Sequence, residues 1–407
     1  MRSEADVTWV PVGNLGQVRM GKQLSPAGRT SGEQFPYLRV ANVFDGHIDY
    51  SDVKTMGFTE AERKTYALHP GDILLNEGQS LELVGRSSIY NGSSGEFCFQ
   101  NTLVRFRPGD GVLPGYVQEV FSHWLATGVF AQIAKKTTSI AHLGGDRFAA
   151  LPFPVLPLPE QRRIIEVLDS VADSERAIEA SIAKLRVIQH ARLAQATEPT
   201  SAVEVSPLKT RLLRIDAGRS PDLPNTPAAP GEWGVLKVSA IHRDGFRPSE
   251  NKVIDVVTEL DEKHEVRPGD LLMSRANTPE LVGSSCIAAD SSTRLLLSDK
   301  TLRLVENPRR ANRAYINLCL ASEFVRRQIQ NLASGSSRSM QNISQKAIES
   351  MSIPWPHLAQ QQRVVAEFNS TSDQILYAKA ELAKLRTLKT GLADDLLSGK
   401  VRVGEVA

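Results

Sequence analysis

The sixteen residues PGDILLNEGQSLELVG at positions 70–85 return as PGDLLMSRANTPELVG at 268–283, an ungapped match at an offset of 198 with eight identical positions. A second match lies at an offset of 200: Ala183-Lys184-Leu185-Arg186 recurs as Ala383-Lys384-Leu385-Arg386, and Arg163 as Arg363. Weaker echoes join Leu38-Arg39-Val40 to Leu236-Lys237-Val238, and Phe153-Pro154 to Ile353-Pro354. Two near-constant offsets across a 407-residue chain mean a tandem duplication of about 200 residues. Solenoid repeats are far shorter, so the copied unit is a whole domain with its appendages.

Each copy changes texture partway. Short β-type runs come first, such as Tyr37-Leu38-Arg39-Val40 and Asp72-Ile73-Leu74-Leu75. Turn signals at Asp45-Gly46, Pro70-Gly71, Asn91-Gly92 and Pro108-Gly109 separate them. The second copy adds a loop, Arg219–Gly231, whose four prolines exclude a helix interior. A long helix follows in each copy. From Glu160 to about Ala196 there is neither Gly nor Pro, and Ile164, Leu168, Val171, Ile178, Ile182 and Leu185 fall on a 4,3 spacing interrupted by Glu175 and Gln189. The second helix repeats the phase with Val364, Phe368, Ile375, Leu382 and Leu385, interrupted by Thr371 and Lys389. That is a coiled-coil seam, and the obvious partner of each helix is the other, antiparallel. The fold class is therefore α+β, with two tandem-duplicated domains each followed by a long helix. The boundaries read as 1–156 for the first domain, 157–197 for its helix, 198–355 for the second domain and 356–407 for its helix and tail. Thr197–Pro207 reads as the linker, and the proline-rich Phe148–Pro159 as a hinge.

Composition narrows the classes. Lys+Arg total 48 against Asp+Glu 46, a net charge of +2, which excludes a uniformly basic nucleic-acid binder but leaves room for local basic faces. Cys98, Cys286 and Cys319 are far apart and form no CxxC, so neither a disulfide framework nor a cysteine zinc site is expected, and all three read as reduced structural thiols. The first ten residues, MRSEADVTWV, have no apolar core, so no signal peptide is expected. No apolar run approaches the ~18 residues of a membrane span. The expectation is a cytoplasmic protein.

Catalytic motifs are missing. GxxxxGK[ST], GxGxxG, HExxH and GxSxG are absent, and there is no Asn/Asp-Pro-Pro-aromatic tetrapeptide of the kind that amino-methyltransferases carry. The eight histidines are scattered. Nothing points to an independent catalyst or a metal.

The PGDxL…ELVG pair, the proline-rich hinge, the Gln-Arg helix start and the AKLR heptad helix, all occurring twice, resemble the specificity subunit of a type I restriction–modification system. The C-terminal Leu396-Leu397-Ser398-Gly399-Lys400-Val401-Arg402 also resembles the way such subunits end. The resemblance implies two target recognition domains, each reading half of a bipartite asymmetric site on double-stranded DNA. It implies that the helices form the spacer and dock two methyltransferase (modification) subunits, joined by restriction/translocase subunits, with no membrane. On that reading the chain is a non-catalytic subunit and binds no cofactor. S-adenosylmethionine, ATP and Mg are expected on partner subunits, whose activities are adenine-N6 methylation and ATP-dependent DNA cleavage.

Two stretches per copy carry candidate DNA contacts. In the aligned loop, Asn76-Glu77-Gly78-Gln79 stands opposite Ser274-Arg275-Ala276-Asn277. Gln79 and Asn277 suit adenine and Arg275 suits guanine, the bland alternative being a polar hairpin turn. Before each hinge lies a polar loop, with Lys135, Lys136, Thr137, Thr138, Ser139 and His142 in copy one. Its counterpart in copy two has Ser336, Ser337, Arg338, Ser339, Gln341 and Asn342. Such groups bond phosphates, and the alternative is a solvated connector. Lys22, Arg29, Arg39, Arg219 and Lys237 are candidates to complete a basic face, though surface cations are common. Rival readings are the specificity partner of a methylation-only or single-chain restriction–methylation system, a stand-alone methyltransferase or nuclease, and a duplicated coiled-coil scaffold without DNA specificity.

Overall fold

The computed structural model describes residues 7–24, 33–136, 139–254, 261–337, 340–401 and 403. The chain forms two compact units, one made of residues 1–180 with 379–407 and the other of residues 181–378.

In the first unit the PGDILL segment builds the middle of a four-stranded antiparallel sheet. Its order is Gly16–Met20, Leu103–Pro108, Ile73–Asn76 and Ser87–Ile89. Ile73–Asn76 is buried at all four positions, as an apolar run covered on both faces must be. The identical residues around it are turn chemistry. Gly71 has φ +91°, a conformation that favours glycine, and the Asp72 carboxylate accepts from the His69 N–H at 2.8 Å, closing the turn. At the other end Gly85 has φ +84°, and a Cβ there would stand 2.3 Å from the Phe130 ring. Beneath the sheet lies an aromatic core. The fully buried Phe121 ring stands 5.3–6.1 Å from Phe106, Trp124, Phe130, Phe148 and Phe153. A smaller sheet of Lys54–Gly57, Gln34–Leu38 and Cys98–Phe99 carries a second core around Leu38, Tyr90 and Phe99.

The second unit repeats this topology. Its four-stranded sheet runs Leu212–Ala217, Thr301–Glu306, Leu271–Ser274 and Ser285–Ile287, and its smaller sheet runs Asn251–Val253, Trp233–Leu236 and Arg294–Leu296. Gly269 at φ +89° and Asp270, accepting from Arg267 N–H at 2.9 Å, rebuild the first turn, while Gly283 at φ +70° rebuilds the second. The core is aliphatic instead, with Leu302, Leu304, Ile316, Leu320 and Ile329 around Tyr315.

A buried arginine pins each sheet, with its partners exchanged between copies. In the second unit Arg303 binds Asp216 (2.8 Å) and Asp270 (3.1 Å). In the first, the aligned Arg105 faces the neutral Gln17, and it is Arg107 that grips Asp72, through Nε (2.6 Å) and Nη2 (2.7 Å). Burial lowers the Arg105 pKa to about 10.

Two segments fold differently from the sequence reading. Glu204–Pro207, read as linker, is a strand paired with Ser352–Trp355. Likewise Pro152–Val155, inside the expected hinge, pairs with Thr8–Pro11. Prolines sit in these ladders because each strand has a single partner and an edge free of the N–H that proline lacks. The Arg219–Gly231 loop contains no helix, as its prolines require.

The long helices span Leu158–Thr197 and Leu358–Leu397. In the first unit the start of one runs antiparallel to the end of the other. Ile164, Leu168, Ala393, Leu396 and Leu397 join the core of that unit. In the second unit, the end of the first helix meets the start of the second. All eleven seam residues are buried or half-buried, and Ile164, Leu168, Ile182, Ile375 and Leu382 are at most 8 % exposed. Three of the four polar interruptions find polar partners on the opposite helix. Glu175 lies 3.5 Å from Lys389 in the first unit, and Gln189 donates to Ser372 Oγ (2.7 Å) and Phe368 O (3.3 Å) in the second. Such half-buried polar pairs favour one register, because a slipped pairing sets them against apolar neighbours.

The three cysteines are buried and unpaired, and burial pushes each thiol up to about 12. Among the described residues, no helix is long and apolar enough to cross a membrane, and no His/Cys/Asp/Glu group is arranged to hold a metal.

Candidate nucleic-acid interface

The two polar stretches singled out in each copy are one structure. In the first unit Gly78–Gln79, Ala141–His142 and Lys135–Lys136 form a three-stranded ribbon, with Ala141–His142 in the centre. Gln79 stands opposite Ala141, Gly78 and Lys135 opposite His142, and Lys136 opposite Ala141. In the second unit Ala276–Asn277, Met340–Asn342 and Ser334–Ser337 form the same ribbon, with Asn277 opposite Gln341 and Ala276 opposite Asn342. Each ribbon springs from the end of the buried central strand. The Leu143 N–H donates to Glu77 O (2.8 Å) and the Ile343 N–H to Arg275 O (2.9 Å). The sheet therefore holds the ribbon by its root, and Leu143 and Ile343, both 0 % exposed, anchor it from below.

On that shared frame the chemistry diverges. In the first ribbon Glu77 Oε2 lies 3.0 Å from His142 Nδ1, and Arg147 donates to the carbonyls of His142 (2.7 Å) and Ile133 (2.8 Å). Lys135 and Lys136 are exposed at its outer strand, beside exposed Ser139. In the second ribbon the half-buried Arg275 occupies the Glu77 position and the neutral Asn342 that of His142. An acid–imidazole pair is thus replaced by a guanidinium and an amide. Gln79 and Asn277 use their amide carbonyls to accept from the next backbone N–H, at 3.1 and 2.9 Å. That bond fixes the direction of each side chain and leaves the NH2 group and one oxygen lone pair for a ligand.

Lys22 and Arg39 are paired within their own domain. The Lys22 ammonium lies 2.6 Å from Glu62 Oε2 and 2.7 Å from Gly57 O, over the Phe58 ring, so its charge is neutralised inside the domain. Its hydrogen bond holds the Glu62 carboxyl below the usual range. Arg39 pairs with Asp52 at 2.6 Å. Arg219 is exposed at the start of the proline-rich loop, and Lys237 is half-buried before a short 3-10 turn. Arg29, Thr137, Thr138, Arg338 and Ser339 lie outside the described residues. Ser336 and Ser337 fall within the outer strand of the second ribbon.

Sequence reasoning missed the joint between each domain and its helix. Gln161, 0 % exposed, accepts from Leu113 N–H (2.8 Å) and donates to Leu156 O (2.8 Å) and Gly111 O (3.1 Å). Gln361 does the same with Asn312 N–H (2.8 Å) and Pro356 O (2.9 Å). The signal was present: both glutamines sit at the offset of 200 that relates the helices.

Residues 4–185 match the model of the type I restriction modification DNA specificity domain. The matched stretch is the first copy with most of its helix, under half of the chain. The likeness extends through both copies. The chain is 32 % identical over 190 residues to the Escherichia coli type I restriction enzyme EcoEI specificity subunit, covering 46 % of this chain and 31 % of that one. It is 22 % identical over 397 residues to the putative MjaX specificity subunit of Methanocaldococcus jannaschii, covering 91 % and 88 %. The matched region thus spans only about a third of the EcoEI subunit. A chain solved in work on assembly and conformational transition of the type I restriction–modification system shares the fold, with a TM-score of 0.64 at 16 % identity over 98 % of this chain and 100 % of that one. The likeness to that solved chain is one of fold, over the duplicated α+β domains and their long helices.

Proposed function

We propose that this chain is the DNA-recognition subunit of a type I restriction–modification complex, each ribbon-bearing domain reading one half of a bipartite, asymmetric site. The observation that carries this reading is the pair of ribbons. One scaffold, anchored alike in both units, presents an acid–imidazole pair with two lysines in one copy and an arginine with three amides in the other. The central and outer strands of each ribbon, Ala141–His142 with Lys135–Lys136 and Met340–Asn342 with Ser334–Ser337, make a two-stranded hairpin of the kind the major groove admits, where side chains of this kind distinguish bases while the lysines contact phosphates. The paired helices act as the spacer and the docking surface for two methyltransferase subunits, and restriction/translocase subunits complete the complex. The chain itself is non-catalytic and cytoplasmic. S-adenosylmethionine, ATP and Mg belong to its partners.

Mapping N6-methyladenine across the host genome, with and without the gene, tests the proposal. Loss of one bipartite motif with a fixed gap is the expected result. Unchanged methylation, together with purified complex that binds all duplexes alike, refutes it.

A further inference from the structure

One large apolar side chain stands in the open at each ribbon, just before the central strand in the first copy and as its first residue in the second. Ile140 is 45 % exposed and Met340 48 % exposed, and they occupy the same position at the offset of 200. Lone exposed apolar residues are ordinary on protein surfaces. The recurrence is what needs explaining. The next two residues have diverged, from Ala141-His142 to Gln341-Asn342, while the apolar character of the exposed position is kept. Core packing does not account for it, because the buried anchor in each ribbon is the separate pair Leu143 and Ile343. Side chains alternate along a strand, so Met340 shares the face of the exposed Asn342. Both apolar groups stand among the amides and cations that suit base edges and phosphates. In the major groove the one apolar feature of a base edge is the thymine 5-methyl group, which protein side chains meet by van der Waals contact.

We propose that Ile140 and Met340 are specificity-determining residues, each packing against a thymine 5-methyl group in its own half-site. The inference rests on the DNA-recognition reading and names the chemistry of one contact within it.

The test uses duplexes selected from a random-sequence pool by the full chain in its complex, with each thymine in turn replaced by deoxyuridine. That exchange removes the methyl and nothing else. At one thymine of one half-site the wild-type complex binds the deoxyuridine duplex about fourfold more weakly, the value of one buried methyl. Ile140→Ala loses that discrimination, binding both duplexes alike, while Ile140→Val keeps part of it. Met340→Ala and Met340→Leu behave the same way at the other half-site. A half-site without thymine overturns the proposal for that copy, as does a deoxyuridine penalty unchanged by the alanine variant. Wild-type complex that selects no sequence at all refutes the recognition reading itself. Selection without methyl-dependent coupling refutes only this inference.

Discussion

The Asp72 carboxylate offers the sharpest test of how the first unit is held together. Its side chain is 1 % exposed and accepts three hydrogen bonds, from Arg107 Nε (2.6 Å), Arg107 Nη2 (2.7 Å) and the His69 backbone (2.8 Å). Arg107 is one-third exposed and regains some water when its partner is removed. Arg105 is 1 % exposed, donates only to Ala67 O and Gln17 Oε1 among the described residues, and is favoured by the nearby Asp72 charge without a hydrogen bond to it. Breaking a buried ion pair from one side costs about 3–5 kcal/mol, and the partial exposure of Arg107 places Asp72→Ala at the lower end, about 3 kcal/mol. In amide hydrogen exchange that is a loss of protection of about 100-fold. The expected result is faster exchange at Ile73–Asn76 and Leu103–Pro108, with Leu271–Ser274 unchanged, because the Asp216–Arg303–Asp270 network is intact in its own unit. Acceleration below about tenfold would refute the argument that this carboxylate compensates buried cations. Equal acceleration in both units would refute their energetic separateness.

Three further outcomes follow from the geometry. Gly85→Ala, which combines φ +84° with a Cβ 2.3 Å from Phe130, destabilises the first unit by about 2–4 kcal/mol, whereas Gly95→Ala, at φ +76° in open space, costs about 1 kcal/mol, as urea unfolding will show. Removing both exposed lysines with Lys135→Ala and Lys136→Ala lowers the slope of log affinity against log salt by about 2, measured by titration of DNA binding. Burial raises the Glu119 pKa above 4.5, helped by Asp169, Asp45 and Glu175 and opposed by Lys389. A raised folded value means that stability is lost as pH rises through it, so Glu119→Gln melts higher than wild type near about pH 7 and converges with it near about pH 4.

The helical seam was legible because period alone decides which face of a helix is buried, whatever covers it. Ile164, Leu168, Ile182, Ile375 and Leu382 needed only their spacing. The meeting of Glu175 with Lys389 was not legible, since both appeared only as interruptions and their register depends on the opposite helix. Glu204–Pro207 was misread because local chemistry dominated: a short segment with Glu, Ser and Pro looks like a connector, and only its partner strand makes it a ladder. The candidate loops were found singly because their residue types speak for themselves. Their union was hidden, as two-residue strands carry no periodic signal and Gln79 meets Ala141 only through the fold. Lys22 shows what residue type leaves out: a cation in sequence, it faces Glu62 in space.

The buried glutamine at each helix start has a consequence for inheritance. Gln161 grips Leu113, Leu156 and Gly111, and Gln361 grips Asn312 and Pro356, through main-chain atoms alone. Main-chain atoms are the same whatever residue carries them. These bonds place no demand on the side chains of the residues they hold, so those positions are free to drift while the bonds stay the same, and only the packing of helix residues such as Ile164 and Leu168 ties the joint to the side chains of its domain. Change at the surface of a domain, away from that packing, then leaves the joint as it was.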